Sequence, residues 1–338
     1  MGYVFIITAV FAGLVKGFCA KKISGYSKKI SQLSVLTCTR MFFCIVIGFF
    51  VVCITTGSFS SFTIDQKTLL VAFLCGLSMS IFLVSWLLAA QVGAYMLLEV
   101  FLTLGVIVPL VFSSFFFNER IVWLKWIGVA LLAVASYIMS AYSNKIRGAK
   151  TSKLGFVFLC ICCFTNGFTQ FTQKWFTVIA SERQLANLFV CDASTFNFYT
   201  YLFAFAILVC FVLLLRLAHG RKTLQTNENA RLETVENTKD LQSETEDQKD
   251  GTYALIKRAW IFIFVMSACL FLHSYFTTRA ADYLSSSELY PLLQGLSLVL
   301  SVVMSAIFFK ERITKTCILG IFIAFIALLT INVFPAFL

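Results

Sequence analysis

The sequence predicts an all-α integral membrane protein with ten transmembrane helices arranged as two inverted five-helix repeats. Of its 338 residues, 59% are hydrophobic and 13% charged, and the mean hydropathy is +0.89. Those values lie outside the range of soluble domains. Ten apolar tracts can be counted along the chain, each about 18 to 25 residues and so long enough as helix to cross a hydrocarbon core of about 30 Å. The chain also repeats itself. Residues 118–140 align without gaps to 310–332 with five identities, which include Glu119-Arg120-Ile121 against Glu311-Arg312-Ile313 and Gly128 against Gly320. In both copies a long apolar run ends in phenylalanines, meets the Glu-Arg pair and restarts. The small-residue stripe Gly105, Pro109, Ser113 falls on Ser297, Ser301, Ser305 at the same offset. With five spans per half, the two copies must enter the membrane from opposite sides.

Taken in order, the first span runs over about 3–20 and contains Gly13 and Gly17, a spacing that lets another helix approach closely. It has no basic residue before it and no small-residue cleavage site, so it reads as a retained helix. The second (34–56) carries Arg40, the third (68–90) is almost uncharged, the fourth (94–117) holds Glu99, and the fifth (121–143) ends the first repeat, residues 1–143. A basic connector, 144–153, leads to the second repeat, 154–338. Its first span (154–176) places Asn166, Gln170 and Gln173 on one face. The next spans about 194–218. Residues 219–252 follow, rich in Glu, Lys, Gln, Thr and Asn, a composition that cannot bury a core and predicts a disordered solvent loop. Spans over 259–279, 286–309 and 313–334 complete the chain.

The net charge of +11 comes from basic residues flanking apolar runs, where they meet lipid headgroups, so nucleic acid is not an implied partner. Assigned to alternate faces, Lys and Arg number sixteen against five. By the positive-inside rule the richer face is cytoplasmic and both termini lie outside. The twelve cysteines are scattered through apolar segments, with the densest group, Cys160, Cys162 and Cys163, inside one predicted helix, and read as buried small hydrophobes, with no metal site or cofactor implied. No phosphate-cradling loop is present, which argues against ATP drive. No cluster of nucleophile, base and metal ligand at membrane depth argues for an enzyme.

Tyr290-Pro-Leu-Leu-Gln294-Gly295, then Phe-Phe-Lys-Glu311-Arg312-Ile and Ile-Leu-Gly320, resembles the last two helices of the small multidrug resistance exporters. Lys21 or Lys22 after the first span and Arg40 in the second are similar to the pattern of an EamA-type half. The chain thus resembles the ten-helix members of the drug/metabolite transporter superfamily over nearly its whole length outside 219–252. The resemblance implies a secondary transporter, an exporter, of a small metabolite, amino acid or organic cation in the plasma membrane. It departs from those exporters where their proton-coupling glutamate in the first helix is matched by Gly13, with Asn166 near the corresponding place in the second half. Ten-helix relatives usually have cytoplasmic termini, the reverse of what the loop charges indicate.

Ionisable groups inside a span cost about 2.5 to 3.5 kcal/mol at mid-membrane by insertion scales, so each is a candidate. Lys16, Arg40 and Glu99 lie at similar depth near one face, where the carboxylate pairs with either cation. Lys174 and Glu288 lie near the other, as a second pair. These would gate a central cavity or hold a charged part of the solute; the bland alternative is snorkelling to headgroups. Asn166, Gln170, Gln173, Gln294, Tyr290 and Tyr95 could line the cavity or simply bond between helices. His273 reads as a packing residue whose titration range would also suit a proton relay. Glu119-Arg120 and Glu311-Arg312 read as interfacial turns outside the substrate site, each Glu near the start of the helix that follows it. The 38 phenylalanines suggest lipid-facing packing more than a cation cage. The partners implied are a small solute and the bilayer, with a second copy of the chain an open option. A lipid or lipid-carrier flippase on the same fold and a non-transporting membrane assembly protein are the rival readings.

Overall fold

The computed structural model describes residues 1–24, 30–57, 62–91, 101–147, 153–230, 238–309 and 315–332. Within them lie ten helices and no strand: α1 Gly2–Ser24, α2 Ile30–Thr56, α3 Gln66–Gln91, α4 Ile107–Phe117, α5 Trp123–Arg147, α6 Lys153–Leu185, α7 Ala193–Ala230, α8 Thr238–Ala281, α9 Ser286–Phe309 and α10 Lys315–Asn332. Six of them contain stretches long and apolar enough to cross a membrane, and shorter apolar helices cover Phe101–Phe117, Trp123–Ile138 and Ile318–Ile331. Large apolar side chains point outward around the bundle, among them Ile54, Phe115, Trp123, Leu214 and Phe322, each more than 60% exposed. A multi-pass membrane protein accounts for such a rim.

Two elements differ from the sequence reading. The fourth span is not continuous: residues 101–104 are helical, Gly105 and Val106 form a turn, and α4 begins at Ile107. Pro109 explains the break, because it has no N–H for the Gly105 carbonyl four residues back and its ring crowds that oxygen. The carbonyl is taken instead by Val108 N–H at 3.1 Å, a tighter i→i+3 bond. The polar segment 219–252 is also not one long loop. α7 continues to Ala230 and α8 starts at Thr238. Between Arg221 and Asp250 there is neither Gly nor Pro, and Lys, Glu, Gln and Leu are good helix formers, so the helices extend without needing a core.

α1 packs along α8, α3 along α6 and α7, α2 along α7 and α8, and α5 along α10, while α1 touches α9 and α4 touches α6. Small residues set the closest crossings. A Cβ on Gly76 of α3 would stand 2.7 Å from the Thr200 carbonyl oxygen and 3.0 Å from the Ala204 nitrogen of α7. Gly167 of α6 lies directly against the Gly105 carbonyl, and Gly128 of α5 against Ile331 of α10. Of the Gly13 and Gly17 pair only Gly13 is used, against the His273 ring, and Gly17 faces open space. α4 ends at Asn118, whose left-handed backbone (φ 52°, ψ 29°) is one that asparagine tolerates.

Candidate functional site

Three polar levels lie along the bundle. At one end, the connectors after α2, α4, α6 and α8 meet in a layer of ion pairs. Lys174 of α6 pairs with Glu119 at 3.7 Å, and Lys125 of α5 with Glu288 of α9 at 3.1 Å. Arg183 of α6 pairs with Asp65 at 3.4 Å, and Arg279 of α8 reaches Asp192 at 3.9 Å and Asp282 at 3.8 Å. The pair expected between Lys174 and Glu288 is therefore not formed. Each has a different partner, because Glu119 of the α4–α5 connector and Lys125 in the first turn of α5 come within reach of them, a proximity invisible to local sequence. Lys174 also donates to the carbonyls of Ala281 and Leu284, both at 2.9 Å, where α8 ends and its dipole favours a cation.

Glu119 also departs from its expected place. Instead of serving the helix that follows it, its Oε2 accepts the backbone N–H of Ser286 at 3.1 Å and caps the start of α9. Ser113 and Ser286 hydroxyls meet at 2.7 Å beside it. Asp65 and Asp192 cap α3 and α7 through the N–H groups of Thr68 and Ser194. Burial acts to raise the Asp65 carboxyl, but the bonds from Thr68 and the nearby Arg183 outweigh it and hold its pKa low. Asp282 goes the other way: burial pushes it up to about 6, against Arg279 and Lys174 and with Asp192.

The middle level is a chain of hydrogen bonds joining α6, α7 and α8. Gln173 Nε2 donates to Ser274 Oγ at 3.0 Å, and Ser274 Oγ donates to Asn197 Oδ1 at 2.6 Å. Asn197 Nδ2 donates to Thr278 Oγ1 at 3.3 Å and to the Ala193 carbonyl at 2.8 Å. Nearby, the Tyr290 hydroxyl of α9 donates to the backbone carbonyl of Gln170, and the buried side-chain Oε1 of Gln170 has no partner among the described residues. Asn166 points elsewhere, its amide 3.5 Å from the Leu102 carbonyl. Gln294 is half-buried on α9.

Towards the other end, α1, α2 and α8 carry Lys16, Arg40 and His273. His273 Nδ1 lies 2.8 Å from the Ala9 carbonyl, a contact that requires Nδ1–H to donate and leaves the lone pair of the neutral ring on Nε2. Lys16 lies within electrostatic reach of His273 and, together with Arg40, of the Cys44 thiol. Arg40 Nη1 meets the Met266 sulfur at 3.9 Å, and its Nε is sealed from solvent with no partner among the described residues. Tyr95 and Glu99, and the Glu311-Arg312 turn, lie outside the described residues. The aromatic rings mostly meet one another edge-on or tilted, and one group, Phe112, Phe116, Phe168 and Phe171, joins α4 to α6. Among the described residues no group of His, Cys, Asp or Glu is placed to hold a metal ion.

Sequence reasoning passed over Asn197, Ser274, Thr278, Lys125, Asp65 and Arg183. The i, i+4 pair Ser274 and Thr278 within a membrane-length stretch was a usable signal; the ion pairs between distant connectors left none.

A match to known proteins now bears on this arrangement. Residues 244–333 match the EamA-like transporter family. That family is part of the drug/metabolite transporter superfamily, and the matched segment takes in α9, α10 and the membrane part of α8. The EamA-like segment thus contributes His273, Ser274, Thr278, Tyr290 and Gln294 to the polar levels. Twenty-eight chains of solved structures match the fold. One, described only as "Crystal structure of protein", superposes with a TM-score of 0.69 over 100% of this chain and 99% of its own, at 10% identity. At that identity the likeness is one of fold. No curated protein matches the sequence.

Proposed function

We propose that this chain is an EamA-type secondary transporter of ten spans in two inverted five-helix repeats, exporting a small organic solute across the plasma membrane by alternating access. The packing supports the repeat. Exchanging α1–α5 with α6–α10 carries the α1·α8 contact onto α6·α3, α2·α8 onto α7·α3 and α1·α9 onto α6·α4, and it carries α2·α7 and α5·α10 onto themselves.

The observation that carries the mechanism is that three ion pairs cross between the halves at one end. Asp65–Arg183, Glu119–Lys174 and Lys125–Glu288 each join a residue of 1–143 to one of 154–338. Half-buried pairs are worth about 1 kcal/mol each, so the layer is worth about 3 kcal/mol. That is enough to keep one mouth closed in most molecules and small enough for thermal opening on the timescale of transport. The interior polar groups then face the other mouth, where Lys16 and Arg40 lie.

Flux into proteoliposomes, measured with a panel of labelled metabolites, amino acids and organic cations, tests this reading. Wild type should move at least one solute. Lys125→Glu, which sets a carboxylate against Glu288, should slow it at least tenfold, and adding Glu288→Lys should restore most of it. Folded protein that moves no solute but scrambles lipid would hand the fold to the flippase reading.

A further inference from the structure

Transport as proposed leaves the substrate class open, and Arg40 narrows it; the inference rests on that reading. We propose that Arg40 is the binding group for an oxyanion carried by the solute, a carboxylate or a phosphate.

A guanidinium presents five N–H donors in a planar fork. Among the described residues Arg40 uses one of them, on a thioether sulfur at 3.9 Å, while Nε is buried and unmet. The polar groups around it are already engaged as donors: the Cys44 thiol to the Ser267 carbonyl at 3.4 Å, and the Tyr201 hydroxyl to the Leu270 carbonyl at 3.1 Å. Cys44, Tyr201, Met266 and Leu270 belong to apolar clusters of the interior. A charge in such surroundings is costly alone and strongly attracted to a partner. The described carboxylates that form ion pairs, Asp65, Glu119, Asp192, Asp282 and Glu288, all serve the opposite end. Lys16 acts on the same Cys44 position, so a second cation lies within electrostatic reach of this spot.

The fork geometry selects a group with two coplanar oxygens, which carboxylates and phosphates offer and organic cations do not. Access is consistent with loading from that face. Arg40 is six residues inside the apolar stretch that begins at Ser34, about 9 Å along the helix, while the far mouth is held by its ion pairs. Of the solutes open to the transporter, this singles out amino acids, organic acids and phosphate esters.

The test measures the melting temperature of the full chain in detergent with succinate, inorganic phosphate, tetraethylammonium or phosphatidylglycerol. Succinate or phosphate, at a hundredfold excess over its dissociation constant, should raise it by about 5 °C, and tetraethylammonium should not. Arg40→Lys keeps the charge without the fork and should weaken anion binding about tenfold; Arg40→Gln should abolish the shift. A shift from tetraethylammonium alone, or an anion shift that survives Arg40→Gln, overturns the proposal. A shift from phosphatidylglycerol alone makes the oxyanion a lipid headgroup and overturns the solute claim. If Arg40→Gln destabilises the chain and adding Glu99→Gln restores it, the arginine serves an internal pair and the proposal falls. Should Arg40→Gln fail to fold, the wild-type panel and Arg40→Lys still decide. Cation flux indifferent to Arg40→Lys sinks this inference and leaves the transporter standing, whereas anion binding without any flux does the reverse.

Discussion

Asn197 is the hub of the middle polar level, and its replacement by alanine has a calculable cost. Its side chain is fully buried and makes two inter-helix bonds, accepting from Ser274 at 2.6 Å and donating to Thr278 at 3.3 Å. Inter-helix bonds inside membranes average about 0.6 kcal/mol, so their loss costs about 1.2 kcal/mol if the neighbours find new partners. Ser274 has one within reach, the carbonyl four residues back in α8. If it stays unpaired, a buried donor adds about 1 to 3 kcal/mol. Asn197→Ala should therefore lower stability by about 1 to 3 kcal/mol in reversible unfolding of the protein in mixed detergent micelles. Ser274→Ala should be less harmful in that background than in wild type, because the two residues share one bond. A loss below about 0.5 kcal/mol, or strict additivity of the two changes, would refute the view that this chain of bonds couples α6, α7 and α8.

Two further outcomes follow from the packing and the charged end. Gly76→Ala drives a methyl into the α7 backbone, which cannot yield as a side chain can, and should cost about 1 to 3 kcal/mol. Gly17→Ala, facing open space, should be neutral or stabilising by up to about 1 kcal/mol through helix propensity; equal melting temperatures for the two variants would contradict the crossing described. Asp282 has a pKa raised from 3.8 to about 6, so the native state binds its proton more tightly than the unfolded chain. Its contribution to stability is full below pH 3.8 and is lost as pH rises through about 6. Comparing melting temperatures of wild type and Asp282→Asn from pH 4 to 8 should show the gap between them change across that window, and a constant gap would show that Asp282 titrates normally.

The all-helical, multi-pass class and most helix positions were legible because lipid favours long, apolar helices, and α9 falls where the sequence put it, at Ser286–Phe309. The breaks were legible in part. Pro109 was visible, yet that the Gly105 carbonyl it leaves behind lies against Gly167 of α6 was not. The extension of α7 and α8 was missed because polar composition excludes a core but does not exclude helix.

What the sequence determined by itself is the membrane class, the apolar helices and a short inventory of costly interior groups, Lys16, Arg40, Gln170, Gln173, His273 and Tyr290 among them. Each follows from the transfer cost of its own side chain, which is a local quantity. Only the tertiary structure decided how they pair: that Glu119 caps α9, that Lys174 and Glu288 take different partners, that Asn197 joins Gln173 through Ser274, and that among the described residues Arg40 meets no more than a sulfur. Hydrogen bonds and ion pairs act over about 3 to 4 Å between segments up to more than 200 residues apart. Their partners are set by which helices touch, and helix contact depends on the shape of whole surfaces, which no local pattern encodes.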